Sequence, residues 1–327
     1  MPFDQLKRRD FITLLSGAAA ATWAPAARAQ GDRVRRVAAL ALAAPIALDG
    51  VALLREELQK LGWREGRNLR LDVRIADDAA ALRVAAEEVV KAAPEVIFAL
   101  AGPATQVLQA RTRTIPIVFV GGVDPVETGM VSDIAKPEGN TTGFANTFAT
   151  LGGKWLELLR ETAPRVTRVA VLFNPDQLRG GGMIASIESA AIQLGATTVR
   201  TPFRNSAEIE NAVEAFAGEP NGALILAASI PGPAEFGTIQ RLALKHRLPL
   251  VYLVTGEGVL ITYTGDPSDL VRGAASYIDR ILHGAKPGEL PVQFPTRFRL
   301  VINLKTAKAI GLTVPESMLV RADKVIE

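Results

Sequence analysis

The chain has 327 residues, is 48% hydrophobic, carries a formal net charge of +3 and contains no cysteine. That is enough apolar material for two lobes with separate cores and too much for a disordered chain. Without cysteine there can be no disulfide, thiol nucleophile, thiolate metal site or lipoprotein anchor, and the near-balanced, interspersed charge gives no basic stripe for nucleic acid.

Residues 1–29 have the form of an export leader. Lys7-Arg8-Arg9-Asp10-Phe11-Ile12 leads into a short apolar run, Thr13 to Ala21, and small residues at Ala27-Arg28-Ala29 offer a cleavage site. The paired arginines before Phe11 are of the twin-arginine type, which exports folded proteins. The run is shorter than the about 20 residues that span a bilayer. Removing the leader takes away Lys7, Arg8, Arg9 and Arg28 against Asp4 and Asp10. A mature periplasmic protein is therefore expected, without cytoplasmic cofactor chemistry.

From residue 36 onward, strand and helix patterns alternate, the signature of parallel sheets covered on both faces. Arg36 to Leu42 predicts a strand and Asp49 to Leu61 an amphipathic helix, with Asp49 able to cap it. Asn68 to Ile75 alternates and predicts a strand at a sheet margin. Ala79–Ala92 predicts a helix, Val96–Leu100 a strand, Ala104–Ala110 a helix and Ile115–Val120 a strand. A helix over Pro125–Ala135 and a turn over Gly139–Gly143 complete the first half, and Phe144-Ala145-Asn146 begins a link.

The pattern then restarts. Helices are expected at Gly152–Thr162, Ile184–Leu194, Ser206–Ala217 (capped by Ser206) and Glu235–His246. Strands are expected at Val166–Phe173, Ala196–Thr201, Ala223–Ala228 and Leu250–Val254. The tail offers a short strand at Ile261–Tyr263, a helix at Pro267–Leu282, strand-like sequence over Val292–Asn303 and a last helix at Leu304–Ile310. The two histidines, His246 and His283, both fall at helix C-termini, where a basic group suits the dipole. The architecture is α/β: two Rossmann-like lobes joined by a multi-crossover hinge, with tandem domains plus a C-terminal extension as the alternative. The crossing version assigns 34–145 with 260–290 to one lobe and 146–259 with 291–327 to the other.

Ligands of open α/β sheets bind beyond the C-terminal strand edges, so candidate residues are those just after each strand. Ala44, before Pro45, presents backbone and an apolar wall, with no Gly-x-Gly-x-x-Gly for a dinucleotide. Gly102, Ala104 and Thr105, around Pro103, can seat a carboxylate at a helix start. Asp124 can cap a helix or meet an ammonium or hydroxyl. Asn146 on the link, then Asn174, Ser229 and Glu257, are the polar groups at the corresponding places further on. Phe144, Phe148 and Tyr263 can pack against a ligand ring, or serve the hinge or the core. No triad, Walker loop or metal-ligand set appears, so an enzyme, a metal and a cofactor are not expected. Pairing Asp124 with Glu257 would be the only acid dyad to offer a secreted hydrolase.

Several segments resemble the ABC-transporter substrate-binding family related to tryptophan- and tyrosine-type binding proteins, with the type I periplasmic-binding fold. They are Leu61-Gly62-Trp63-Arg64-Glu65-Gly66-Arg67-Asn68, Thr114 to Val120 with Asp124-Pro125-Val126, and Gly153-Lys154-Trp155-Leu156-Glu157-Leu158-Leu159. Val169 to Pro175 and, most specifically, Leu300 to Ala309 complete the set, and the leader matches as well. The resemblance implies a bilobal clamp with three crossovers. It implies a monomer that captures a small carboxylate-bearing solute, an amino acid or an aromatic acid, and delivers it to an inner-membrane permease. By position it points to Ala104, Thr105 and Asp124 in one lobe and Asn174 and Ser229 in the other. Ala228-Ser229-Ile230-Pro231 lacks the acid with which many amino-acid binders hold an ammonium, so a carboxylated solute without an amine stays open. A ligand sensor of the same fold remains an alternative to transport.

Overall fold

The computed structural model describes residues 33–42, 45–122, 124–146, 148–177, 181–227 and 230–327; the leader lies outside them. In the first sheet the strands are β1 (Arg35–Leu42), β2 (Leu69–Ala76), β3 (Val96–Leu100), β4 (Ile117–Val120) and β5 (Thr141–Phe144), in the order β2-β1-β3-β4-β5 and all parallel. Strands β3 and β4 are buried throughout, as continuous apolar runs in a sheet covered on both faces should be. Strand β2 lies at the edge, where its alternating sequence placed it. Helix α1 (Pro45–Lys60) covers one face, while α2 (Ala79–Lys91) and α3 (Gly102–Gln109) cover the other.

The second sheet holds β6 (Arg168–Phe173), β7 (Thr197–Pro202), β8 (Gly222–Leu226), β9 (Leu250–Tyr252), β10 (Ile261–Gly265), β11 (Phe298–Asn303) and β12 (Lys324–Ile326). Its order is β12-β11-β10-β9-β8-β6-β7, with only the β10–β11 pairing antiparallel. From β7 to β10 this repeats the strand order of the first sheet. Helices α4 (Leu151–Thr162) and α5 (Gly182–Gln193) pack on one face. Helices α6 (Ser206–Ala217) and α7 (Pro233–Lys245) pack on the other. Helix α8 (Pro267–Leu282) returns to the first lobe and packs against α1. The short helices α9 (Leu304–Ala309) and α10 (Glu316–Arg321) finish the second lobe.

The chain thus passes between the lobes after Phe144, after Gly265 and again before Phe298, which is the crossover architecture rather than tandem domains. The passes are tied to each other. The Ala145 N–H donates to the Gln293 carbonyl at 2.9 Å, and the Asp266 N–H donates to that of Arg297 at 3.1 Å. At Gly265 a Cβ would stand 2.5 Å from Pro295, so only glycine lets these passes lie side by side. Because β10 bonds both β9 and β11, the second lobe keeps the chain to Gly265 rather than releasing it at residue 260.

Several local expectations change. Pro125–Ala135 is a turn, not a helix: Met130 and Val131 N–H groups both donate to the Pro125 carbonyl, and Gly129 sits at φ 72°. Residues 141–144, where the end of a turn and the start of a link are expected, form a buried strand. The threonine hydroxyls make that possible, since Thr142 Oγ1 donates to the Leu290 carbonyl at 2.6 Å and Thr141 Oγ1 accepts from Gln109 Nε2 at 3.0 Å. Asp49 lies inside α1, which starts at Pro45 as prolines favour. Asn205, not Ser206, caps α6; its Oδ1 accepts from the Glu208 N–H at 3.0 Å, and Glu208 Oε2 accepts from the Arg204 N–H. Helix α10 and strand β12 were not foreseen. His246 and His283 are the C-caps of α7 and α8, as read from sequence.

Candidate functional site

In a sheet ordered 2-1-3-4-5 the ligand crevice opens where the strand order reverses, beyond the strand ends. In the first lobe that edge is built from left-handed backbone. Ala101 sits at φ 79°, Gly121 at 95°, Gly122 at 101° and Asp124 at 32°. Ala101 and Asp124 are non-glycine residues in a sparsely populated region, the kind of strain that clusters at ligand sites. The Ala101 N–H donates to the Val120 carbonyl at 2.8 Å, which joins the loops after β3 and β4. Helix geometry leaves the first N–H groups of α3, on Gly102 and Ala104, without intrahelical acceptors.

Thr105 contributes less than the sequence suggests. It is fully buried, and its N–H and hydroxyl both donate to the Ala101 carbonyl, at 3.3 and 3.2 Å. Its role is to brace the strained Ala101. Asp124 turns its Oδ1 to the Glu127 N–H at 3.0 Å, and its carbonyl accepts from Thr128 N–H and Oγ1. It therefore caps the turn that replaces the expected helix.

The second lobe presents side chains that lock loops. Half-buried Asn174 follows β6 and accepts the Asp176 N–H at 2.9 Å. Gln177, which the sequence reading passed over, pairs with Ile230 in both directions. Its Nε2 donates to the Ile230 carbonyl at 3.1 Å, and its Oε1 accepts the Ile230 N–H at 2.9 Å. This joins the loops after β6 and β8 across the second reversal point. Burial pushes the Tyr252 phenol, at the end of β9, above its ordinary value, so it stays neutral. Ala44 and Ser229 fall outside the described residues.

Glu257 is not brought to this edge. Its loop runs back over α7, where a Cβ on Gly258 would stand 2.8 Å from the Gln240 carbonyl. Asn303 Nδ2 donates to the Gly256 carbonyl at 3.2 Å. Asn303 ends the antiparallel strand β11, so this is the sheet edge opposite the crevice. Glu257 there borders a cavity of about 450 Å³ with Thr255, Lys305 and Ile326. The Asp124–Glu257 acid pair is thus separated by topology.

An aromatic set links the interlobe passes to the second sheet, with Phe148 and Phe294 on the passes, Tyr263 in β10 and Phe298 at the start of β11. Phe148 lies 5.6 Å from Phe294 and 5.7 Å from Phe298, and Tyr263 stacks on Phe298 at 5.3 Å between ring centres. All four rings are half-buried. The Tyr263 carbonyl accepts from Trp155 Nε1 at 2.7 Å, which fixes β10 against α4. Asn146 sits beside this set, with its carbonyl 3.3 Å from where a Gly265 Cβ would be. Phe144 belongs to the core, one of the roles open to it from the sequence, and lies 4.8 Å from Tyr277. The density of rings between Phe294 and Phe298 was the signal available for the missed members of this set.

Among the described residues no group of His, Cys, Asp and Glu could hold a metal ion, and no helix is long and apolar enough to cross a membrane. A family model for ABC transporter substrate binding proteins matches residues 41–326. The chain belongs to that family. Its members are binding components of ABC transporters and not enzymes, so the family assigns this protein to solute binding for import. A tyrosine-binding protein of Clostridioides difficile (strain R20291) is 24% identical over 265 residues, 78% of this chain and 74% of that protein. The crystal structure of a conserved domain protein from Vibrio cholerae O1 biovar eltor superposes with a TM-score of 0.80 at 27% identity, covering 90% of this chain and all of that one. An ABC domain from Streptococcus pneumonia in complex with L-Trp gives 0.81 at 23% identity and the same coverage. These likenesses agree with the type I periplasmic-binding fold.

Proposed function

We propose that this substrate-binding protein captures a small carboxylate-bearing solute with an aromatic ring, an aromatic amino acid or an aromatic acid. It does so in the crevice between the lobes, as a periplasmic monomer, and passes the solute to an inner-membrane permease. The observation that carries this reading is the half-buried ring set made by Phe148 and Phe294 on the interlobe passes with Tyr263 and Phe298 of the second-lobe strands β10 and β11. Aromatic pairs of this kind accept a further ring edge-on or offset. The N–H groups of Gly102 and Ala104 at the start of α3 suit one carboxylate better than a pyrophosphate, since no glycine-rich cradle surrounds them. The names of two relatives, one tyrosine-binding and one bound to L-Trp, favour the same class. Binding to one lobe followed by closure of the other is the working cycle, and the leader supports export of an already folded clamp.

The test is to denature purified protein, identify any released small molecule by mass spectrometry, and titrate it back by calorimetry. Thermal shifts against aromatic amino acids and amine-free aromatic acids then separate the two solute classes. A ligand at a hundred times its Kd should add about 2.7 kcal/mol of stability. The reading fails if nothing is released and no aromatic carboxylate shifts the melting curve.

A further inference from the structure

We propose that Glu127 is a positioning residue: it holds the crevice closed by capping a helix of the opposite lobe. Glu127 belongs to the turn after β4, in the first lobe, whose Met130 and Val131 are buried in that lobe's core. Its Oε1 accepts the Gly182 N–H at 3.0 Å. Gly182 opens α5, whose Met183, Ile184 and Ile187 are buried in the core of the second lobe. The bond therefore spans the crevice and breaks if the lobes part.

Both ends are prepared for this contact. Among the described residues, helix α5 has no cap of its own: the residue before it is Gly181, which has no side chain, and its first turn has no acid. Helices α2, α6 and α8 are capped by Asp78, Asn205 and Asp266 of their own chain segments, whereas α3, α4 and α7 share with α5 the lack of a side-chain cap. A helix start leaves N–H groups without partners and favours a negative charge. Among the described residues, the carboxylate at this start is the one the other lobe supplies. On the Glu127 side, Asp124 pins the turn by accepting the Glu127 N–H and the Thr128 N–H and hydroxyl. The backbone that carries the carboxylate is thus held in place. Gly182 leaves it room, since a Cβ there would stand 2.9 Å from the Ala149 Cβ and 3.1 Å from Glu127 Oε2.

The consequence for solute retention rests on the reading given under Proposed function; the consequence for lobe geometry does not. The absence of cysteine allows a direct measurement. Val84 on α2 and Ile192 on α5 are 58% and 81% exposed, one on each lobe, and Val84→Cys with Ile192→Cys provides two spin-label positions. Interlobe distances are recorded without solute in mature protein carrying Glu127 or Glu127→Ala. Loss of the cap should shift the closed-to-open ratio about fivefold toward open, the size of effect that losing one helix cap produces. Glu127→Gln keeps an oxygen acceptor and should recover part of the closed population, which a merely structural residue would not do. Gly182→Ala should open the lobes as Glu127→Ala does, and the double variant should add little. Identical distance distributions for Glu127 and Glu127→Ala overturn the proposal. If the released solute is then titrated, Glu127→Ala should raise its dissociation rate severalfold. A protein that binds no aromatic carboxylate yet still opens on Glu127→Ala refutes the solute reading and leaves the latch standing.

Discussion

The two lobes share one strand order and meet the crevice with different materials. The first lobe uses backbone: Ala101, Gly121, Gly122 and Asp124 all have positive φ where β3 and β4 end. The second uses side chains: Asn174 accepts the Asp176 N–H within the loop after β6, and Gln177 joins that loop to the one after β8. Strained backbone is stiff, because the surrounding packing must over-determine it. Side-chain stitches are individually weak and can be remade. Five strands in each lobe thus form a common frame, the second lobe adding β11 and β12, and the difference that bears on the crevice lies in the edges, where function is carried. A stiff first lobe and an adjustable second lobe suit a cycle in which solute docks on the first and the second closes over it.

The largest test of this contrast is at Trp155, the anchor that fixes β10 and its Tyr263 in the second lobe. It is fully buried, so Trp155→Ala should cost about 3–5 kcal/mol in urea unfolding. Trp155→Phe keeps the ring and loses the bond to the Tyr263 carbonyl, for a loss nearer 1 kcal/mol. If the two variants were equally destabilised, the hydrogen bond rather than packing would dominate this anchor.

Next in size is the first-lobe edge. Gly122→Ala places a side chain at φ 101° with its Cβ 2.8 Å from the Met130 methyl, and should cost roughly 1–3 kcal/mol and weaken solute binding. Gln177→Ala, its counterpart in the second lobe, removes two hydrogen bonds from half-buried groups that water can reach. It should cost about 1 kcal/mol or less in the same denaturation assay. A larger loss at Gln177 than at Gly122 would reverse the assignment of stiff and adjustable edges.

Much of the frame was legible because its signals are local. The continuous apolar run Val96–Leu100 is β3 with those bounds, and Pro267 opens α8, which ends at Leu282 as read. What was not legible depends on distant partners. Thr141-Thr142-Gly143 reads as a turn until Leu290 supplies an acceptor for Thr142 from far along the chain. Val126, Met130 and Ile134 have helical spacing, but left-handed Gly129 ends the turn. Counting residues past each strand brings Gly102 and Asp124 to the crevice edge of the first lobe. The same rule failed for Glu257, because Gly258 packs on Gln240 and draws the loop to the far edge. Nor does it show that the Thr105 hydroxyl donates to the Ala101 carbonyl. Gln177 and Glu127 carry no sequence signal, since each is defined by a backbone group more than 50 residues away.

The smallest effect expected is a pH dependence at the passes themselves. Asp269 on α8 accepts from Arg297 Nε at 2.7 Å and Nη2 at 2.6 Å, and from Arg272 Nη1 at 2.9 Å. The Arg297 guanidinium, through those hydrogen bonds, holds the Asp269 carboxyl below its usual range, against a weaker opposing effect of burial. A carboxyl whose folded pKa is lowered stabilises the fold above its unfolded value, near ~3.9, and that contribution is lost as pH falls through the lower folded value. Because Arg297 is exposed, solvent screens the pair, and the melting temperature should move by only a few degrees at most. Asp269→Asn should melt below the unmodified protein at pH 6, with the gap closing as pH drops below 4 and narrowing in high salt. A gap that stayed constant with pH would mean that Asp269 holds the Asp266–Arg297 pass by shape rather than by charge. That would place the adjustable part of the molecule in the second-lobe loops alone.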